Sequence, residues 1–183
     1  MKTPLLKLPV KTADGEFLAG YSEQGLMELN FPNQIRRRRG DESQTLDLVR
    51  DSSRRLLQRK IRGWHKLTAA ALKNILAGRA AKKLPPLDWT GKTDFQQSVW
   101  REMLKISLGN TKSYGEIASA IGKPKAVRAV GGACGANPVP VLVPCHRVLA
   151  ANKKLGGFSG GLDWKRRLLA REGVSEFVGS RPA

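Results

Sequence analysis

The chain has 183 residues, 40% of them hydrophobic and 26% charged, which is enough for one large or two small globular domains with a buried core. No apolar run approaches the ~18 residues of a membrane span, and Met1-Lys2-Thr3-Pro4 opens no apolar signal core. The expectation is therefore a cytoplasmic protein (nuclear in a eukaryote) with no membrane partner. The formal charge of +18 makes a polyanion the natural partner, nucleic acid ahead of a membrane surface. Residues 31–83 carry 15 Lys or Arg against 4 acids and residues 90–183 carry 15 against 6, so both halves could meet it.

In chain order, residues 5–10, 17–21 and 26–31 read as short strands with turns at Asp14-Gly15 and Glu23-Gln24-Gly25, a small antiparallel meander. Arg36-Arg37-Arg38-Arg39 follows, and a solvated loop, a phosphate contact and a nuclear-import signal are all open for it. From Ser43 the spacing becomes helical through Leu46, Val49, Leu56, Leu57 and Ile61. A second helical run passes Leu67, Ala70, Ala71 and Ile75 and closes at Gly78. Residues 82–88, with Pro85-Pro86, read as a linker.

Beyond it, Thr93-Asp94-Phe95-Gln96 is a capping box opening a helix with Phe95, Val99 and Met103 on one face. Ser113-Tyr114-Gly115-Glu116 is a second box, starting a short helix that Gly122 ends. Pro124 suits the first turn of another helix running to about Ala133, so the outline is helix-turn-helix. Asn137-Pro138 then breaks the helix, Val139 to Val143 is an apolar stretch ending at Pro144-Cys145-His146-Arg147, and residues 156–161 form a glycine-rich loop. A last helix spans Leu162 to Glu172. The expected fold is α/β in two parts: an N-terminal domain, 1–88, with a small antiparallel sheet plus helices and linker, and a mainly helical C-terminal domain, 89–175, with the helix-turn-helix and the active-site cysteine. Residues 176–183 form a tail.

Cys134 and Cys145 are the only cysteines and His65 and His146 the only histidines, too few for a disulfide framework or a zinc cluster, so no metal or cofactor is expected. A free thiol titrates near ~8.5 and needs a base or a positive environment to react at neutral pH. Cys145 has His146 and Arg147 beside it. One Cys-His dipeptide is more often structural than catalytic. The preceding helix-turn-helix, the following glycine loop and the basic charge turn the reading toward a nucleophile facing DNA. A thiolate attacks an sp3 carbon well and phosphate poorly, so the substrate would be an alkyl group on a base or an alkylated phosphate.

The run Arg128-Ala129-Val130-Gly131 through Asn137-Pro138 to Pro144-Cys145-His146-Arg147-Val148 resembles the 6-O-alkylguanine-DNA alkyltransferases, also called methylated-DNA--protein-cysteine methyltransferases. The resemblance is clear from Thr93 to about Gly173 and loose before residue 88. It implies a single-turnover S-methyltransferase, DNA repair by direct reversal in which the alkyl group passes irreversibly to Cys145. His146 would be its base, through a water, and Glu172 would orient that histidine; on residue type alone Glu172 could equally be a surface acid. Asn137 would brace the turn carrying the thiol. Tyr114 would crowd the target phosphate and hydrogen-bond the flipped purine, and Arg128 would fill the vacated space, an ordinary phosphate-binding arginine being its alternative.

The base pocket implied by the resemblance has backbone groups of Cys145 and Val148, Ser159 near the leaving oxygen, and Pro140 and Phe158 as apolar walls. Several members carry tyrosine where this chain has Phe158, and Ser107 replaces a common proline. The second helix of the motif, 125–133, would lie in the minor groove of double-stranded DNA containing alkylated guanine, with Lys125 at its start and Ala126, Ala129 and Gly131 small enough for close approach. A monomer is expected. The N-terminal zinc of some relatives lacks its ligands here. Cys134 reads as a packing residue, and His65 has no evident partner. The competing readings are a non-enzymatic lesion-binding module, a cysteine hydrolase and a plain helix-turn-helix regulator.

Overall fold

The computed structural model describes residues 6–35 and 52–177, apart from the side chain of Arg54. The Arg36–Arg39 tract, Leu5, Leu46, Val49 and residues 178–183 of the expected tail lie outside the described residues. The chain divides into two compact units, the first comprising residues up to 74 together with 81–91, the second 75–80 and the residues from 92 onward.

In the first unit the expected meander forms, with β1 (Leu6–Thr12), β2 (Gly15–Tyr21) and β3 (Leu26–Asn30) in the order β1-β2-β3, antiparallel throughout. The first hairpin closes over Ala13-Asp14. Thr12 donates its hydroxyl to the Gly15 carbonyl at 2.7 Å, and Gly15 takes φ +114°, a region closed to most side chains. Alternate residues of β2, Phe17, Ala19 and Tyr21, face the core and are fully buried, the period of two that a half-buried strand requires. The residues read as a linker are tied down here: the Leu26 amide donates to the Pro86 carbonyl and the Asp88 amide to the Leu26 carbonyl, at 2.8 and 2.9 Å. Proline has no N–H to give a ladder, but its carbonyl accepts.

The two helical runs expected between 43 and 78 are, over the described residues, one helix, α1 (Ser52–Leu76). Ile61, Trp64, Thr68, Ala71, Leu72 and Ile75 make an unbroken buried stripe across Gly63. That burial outweighs the ~1 kcal/mol a mid-helix glycine costs. Leu56 is 66% exposed and does not share the stripe.

In the second unit both capping boxes close. Thr93 caps α2 (Asp94–Leu104) through the Gln96 amide at 3.2 Å, and Ser113 caps α3 (Tyr114–Ala120) through the Glu116 amide at 3.1 Å. α4 (Val127–Gly135) starts later than expected. The Ala126 amide closes a turn onto the Lys123 carbonyl at 2.9 Å, so Pro124 and Lys125 lie in the turn and Ala126 is the N-cap. The Trp100 indole N–H donates to the Ala133 carbonyl at 2.8 Å and holds α4 to α2. Two short strands, β4 (Lys112–Ser113) and β5 (Val148–Leu149), pair in parallel, setting the segment after Cys145 beside the start of α3. α5 (Leu162–Arg171) ends at Glu172, its C-cap, with Gly173 at φ +78°.

Candidate active site

Cys145 opens a single 3-10 turn, Cys145–Arg147, directly after the fully buried run Val139–Val143. Asn137 organises the approach. Its side-chain oxygen accepts from the Val139 amide at 3.0 Å, while its Nδ2 donates to the Val143 carbonyl at 2.8 Å and to Cys145 Sγ at 3.2 Å. Val141, between them, takes φ +73°, which a β-branched residue adopts only when its surroundings force it. Cys145 is 4% exposed. Burial pushes its thiol up to about 11, against the smaller opposing pull of the Asn137 amide and the Lys165 charge. At neutral pH the sulfur is a thiol, and any nucleophilic role requires a base.

His146 is fully buried, and its Nε2 lies 2.9 Å from Glu172 Oε1. Burial works to raise the Glu172 acid, but the hydrogen bonds and charges of His146 and Arg147 outweigh it and hold the group at about 2. An ionised carboxylate only accepts, so Nε2 carries the hydrogen and Nδ1 the lone pair. That Nδ1 is buried and has no hydrogen-bond partner among the described residues. Burial also lowers the histidine's pKa, which keeps the imidazole neutral and basic at pH 7.

Arg147 lies near the thiol in sequence, yet its guanidinium is committed elsewhere. Nε donates to Glu172 Oε2 at 2.8 Å, Nη2 to Oε1 at 2.9 Å and Nη1 to the Ile106 carbonyl at 2.6 Å. The fork balances the buried carboxylate and fixes the end of α5. The positive charge that acts on the thiol belongs to Lys165, which the sequence reading passed over. Fully buried on α5, Lys165 donates to the Val148 and Leu155 carbonyls, and burial brings its ammonium down to about 8. A signal was available: at helical spacing Lys165 falls with Leu168, Leu169 and Glu172 on the inward face of α5, where a lysine needs partners.

Of the expected base-pocket residues, several converge. Tyr114, half-buried at the start of α3, has its hydroxyl against the glycine loop: a Cβ on Gly156, which takes φ +65°, would meet that hydroxyl at 2.7 Å. Burial raises the phenol's pKa, and the Gly157 backbone hydrogen-bonds to it. Phe158 presents its ring edge-on to His146, 6.5 Å between centroids. Val148 is buried on β5, and Pro140 is buried and bridged to Val143. Ser159 is exposed on the loop. In the helix-turn-helix, Lys125, Arg128 and Ala129 are exposed and Ala126 and Gly131 half-buried, while Val130, Ala133 and Cys134 face inward. Cys134 packs with its Sγ 3.5 Å from Met103 Sδ, and burial pushes its thiol to about 12. His65 has a partner after all, Nδ1 lying 3.2 Å from the Tyr21 hydroxyl. Among the described residues no cluster of His, Cys, Asp or Glu is placed to hold a metal, and no helix is long and apolar enough to cross a membrane.

The second unit thus joins a buried cysteine, a histidine held by a buried carboxylate and a helix-turn-helix. Residues 94–174 match the family described as 6-O-methylguanine DNA methyltransferase, DNA binding domain. A methylated-DNA--protein-cysteine methyltransferase of Mycobacterium bovis is 57% identical over 86 residues, 47% of this chain and 52% of that protein. An inducible one from Bacillus subtilis is 46% identical over 104 residues, 57% of this chain and 58% of that protein. These matches span about half the length of the curated relatives. Over the whole fold, the crystal structure of Mycobacterium tuberculosis OGT in complex with DNA is 36% identical with a TM-score of 0.68, covering 90% of each chain. The O6-methylguanine-DNA methyltransferase of Pyrococcus kodakaraensis, at 24% identity and TM-score 0.56, shares the fold over 92% of this chain and 98% of that one. The chain belongs to the 6-O-methylguanine DNA methyltransferase family.

Proposed function

We propose that this protein repairs duplex DNA by moving an alkyl group from the 6-oxygen of guanine onto Cys145. The observation that carries the reading is the buried Asn137–Cys145 hydrogen bond beside a neutral His146 oriented by ionised Glu172. The relatives' names and the DNA complex of a structural neighbour support it. The helix-turn-helix enters the minor groove with Ala126, Ala129 and Gly131 allowing close approach, Lys125 meets phosphate, and Arg128 takes the place of the flipped guanine.

In the pocket, His146 Nδ1 draws the thiol proton through a water as Sγ forms its bond to the alkyl carbon. The carbon–oxygen bond breaks and its electron pair passes to the guanine, where Tyr114 supplies a proton at the ring and Ser159 a donor near the oxygen. Val148 and the Cys145 backbone hold the base between Pro140 and Phe158. The Tyr114 proton is replaced from the one His146 accepted. The thioether has no route back to thiol, so one molecule, acting as a monomer without cofactor, repairs one lesion.

Intact-protein mass after incubation with an oligonucleotide containing methylated guanine tests this directly. The expected result is one added methyl per chain on Cys145 and none in Cys145→Ala; binding with no mass gain would make the protein a lesion sensor. Arg128→Ala should slow repair in duplex DNA by at least tenfold, a loss of about 1.4 kcal/mol in transition-state stabilisation, and leave reaction with a free benzylated base unchanged. Equal losses in the two assays would remove Arg128 from the flipping step.

A further inference from the structure

We propose that the exposed face of α1 is a second phosphate-binding surface for duplex DNA, separate from the helix-turn-helix. α1 contains seven basic residues and no aspartate or glutamate. Arg55, Arg59, Arg62, Lys66 and Lys73 are all exposed. At 100° per residue they fall within about 60° of arc, and at 1.5 Å per residue the row is ~27 Å long. One strand of B-DNA advances about 3.4 Å per phosphate, so the row runs alongside roughly eight of them. Ala70, also exposed, and Gly63, whose Cβ position is open, keep the face low between the cations.

The arrangement is unlike an ordinary solvated helix face, where acids four residues away relieve the charge. Arg55 with Arg59 and Arg62 with Lys66 are like-charge pairs at that spacing, which weakens the free helix, and an anionic partner removes the repulsion. Among the described residues none of the five is in an ion pair. Chemistry selects the partner. A helix that lies on a membrane inserts its apolar face, but here Ile61, Trp64, Ala71 and Leu72, on the opposite side, are spent in the unit's own core. What remains is a straight row of cations with no apolar anchor, complementary to a regularly charged backbone rather than to a bilayer. Cations spaced along one strand meet its phosphates, and contacts to phosphate carry no sequence information.

That the polyanion is DNA rests on the proposed function, and the experiment separates the two. Affinity for an unmodified duplex is measured over a range of salt for the full chain and for the combined variant Arg55→Gln, Arg59→Gln, Arg62→Gln and Lys66→Gln. Glutamine keeps the helix propensity. The expected result is a plot of log affinity against log salt shallower by roughly three to four units, with a melting temperature no lower than wild type and reaction with a free benzylated base unchanged. An unchanged slope overturns the surface, as does loss of binding to phosphatidylserine vesicles without any change on DNA. Lys125→Gln with Arg128→Gln is run in parallel. If that pair leaves lesion repair intact while the α1 variant still flattens the slope, the α1 surface stands and the helix-turn-helix reading fails.

Discussion

Several buried polar groups of the first unit meet uncharged partners. The Tyr21 hydroxyl donates to Thr68 Oγ1 at 2.9 Å, Thr68 donates on to the Trp64 carbonyl, and buried Asp88 is met by the Ser22 hydroxyl and the Thr90 amide. The second unit buries four charged side chains, Glu102, Arg147, Lys165 and Glu172, together with His146. Removing water from charges costs several kcal/mol per ion, and only a complete set of partners offsets it. The contrast teaches what a buried charge adds: uncharged partners fix a fold, whereas the ionised Glu172 carboxylate also fixes the tautomer of His146.

The largest effect expected from breaking this contrast comes at Glu172. Glu172→Gln leaves Arg147 buried without its counter-charge, and chemical denaturation should show a loss of about 3–5 kcal/mol. The alkyl-transfer rate should fall by roughly two to four orders of magnitude, because an amide, which can donate as well as accept, no longer fixes the histidine tautomer as the ionised carboxylate does. A variant that transfers at the wild-type rate would exclude the carboxylate from the chemistry.

pH sharpens the same point. Glu172 is depressed from 4.5 to about 2, so the stability it contributes is fully present above pH 4.5 and is lost as pH falls from there through about 2. Acid unfolding of Glu172→Gln should lack that component. Because burial lowers His146 below its ordinary 6.5 and raises Cys145 to about 11, the transfer rate should be flat through neutral pH and drop only on the acid side, below 6.5. A rate that instead climbs steadily toward pH 9 would mean that free thiolate, and not the histidine, controls the reaction.

The smallest effect belongs to the first unit. Tyr21→Phe removes the donor to Thr68, whose hydroxyl still bonds Trp64, and should cost about 1 kcal/mol in thermal unfolding with no change in transfer rate. A change in rate would show that the neutral network also supports the reaction.

Local patterns were legible wherever the chain answers to near neighbours. The two capping boxes, the three-stranded meander, the last helix and the buried run into Cys145 all follow from periodicity and short-range hydrogen bonds. Two boundaries misled for a stated reason. The two helical runs are one helix over the described residues because a single buried stripe continues from Ile61 to Ile75, and Pro124 suits a first helical turn only until the Ala126 amide closes on Lys123. The candidate site was named through a resemblance, because Glu172 lies 26 residues beyond His146 and no local pattern joins the two.

By itself the sequence determined the classes of partner and the local elements, since charge, capping and apolar spacing act over one or two turns. Tertiary structure decided which charges serve the cysteine. It turned Arg147 away from the sulfur onto Glu172, brought buried Lys165 to the Val148 and Leu155 carbonyls, and left His146 Nδ1 buried without a hydrogen-bond partner among the described residues. Those assignments depend on burial and on partners 10 to 26 residues distant in sequence, and a charge acquires its pKa only where the fold removes its water.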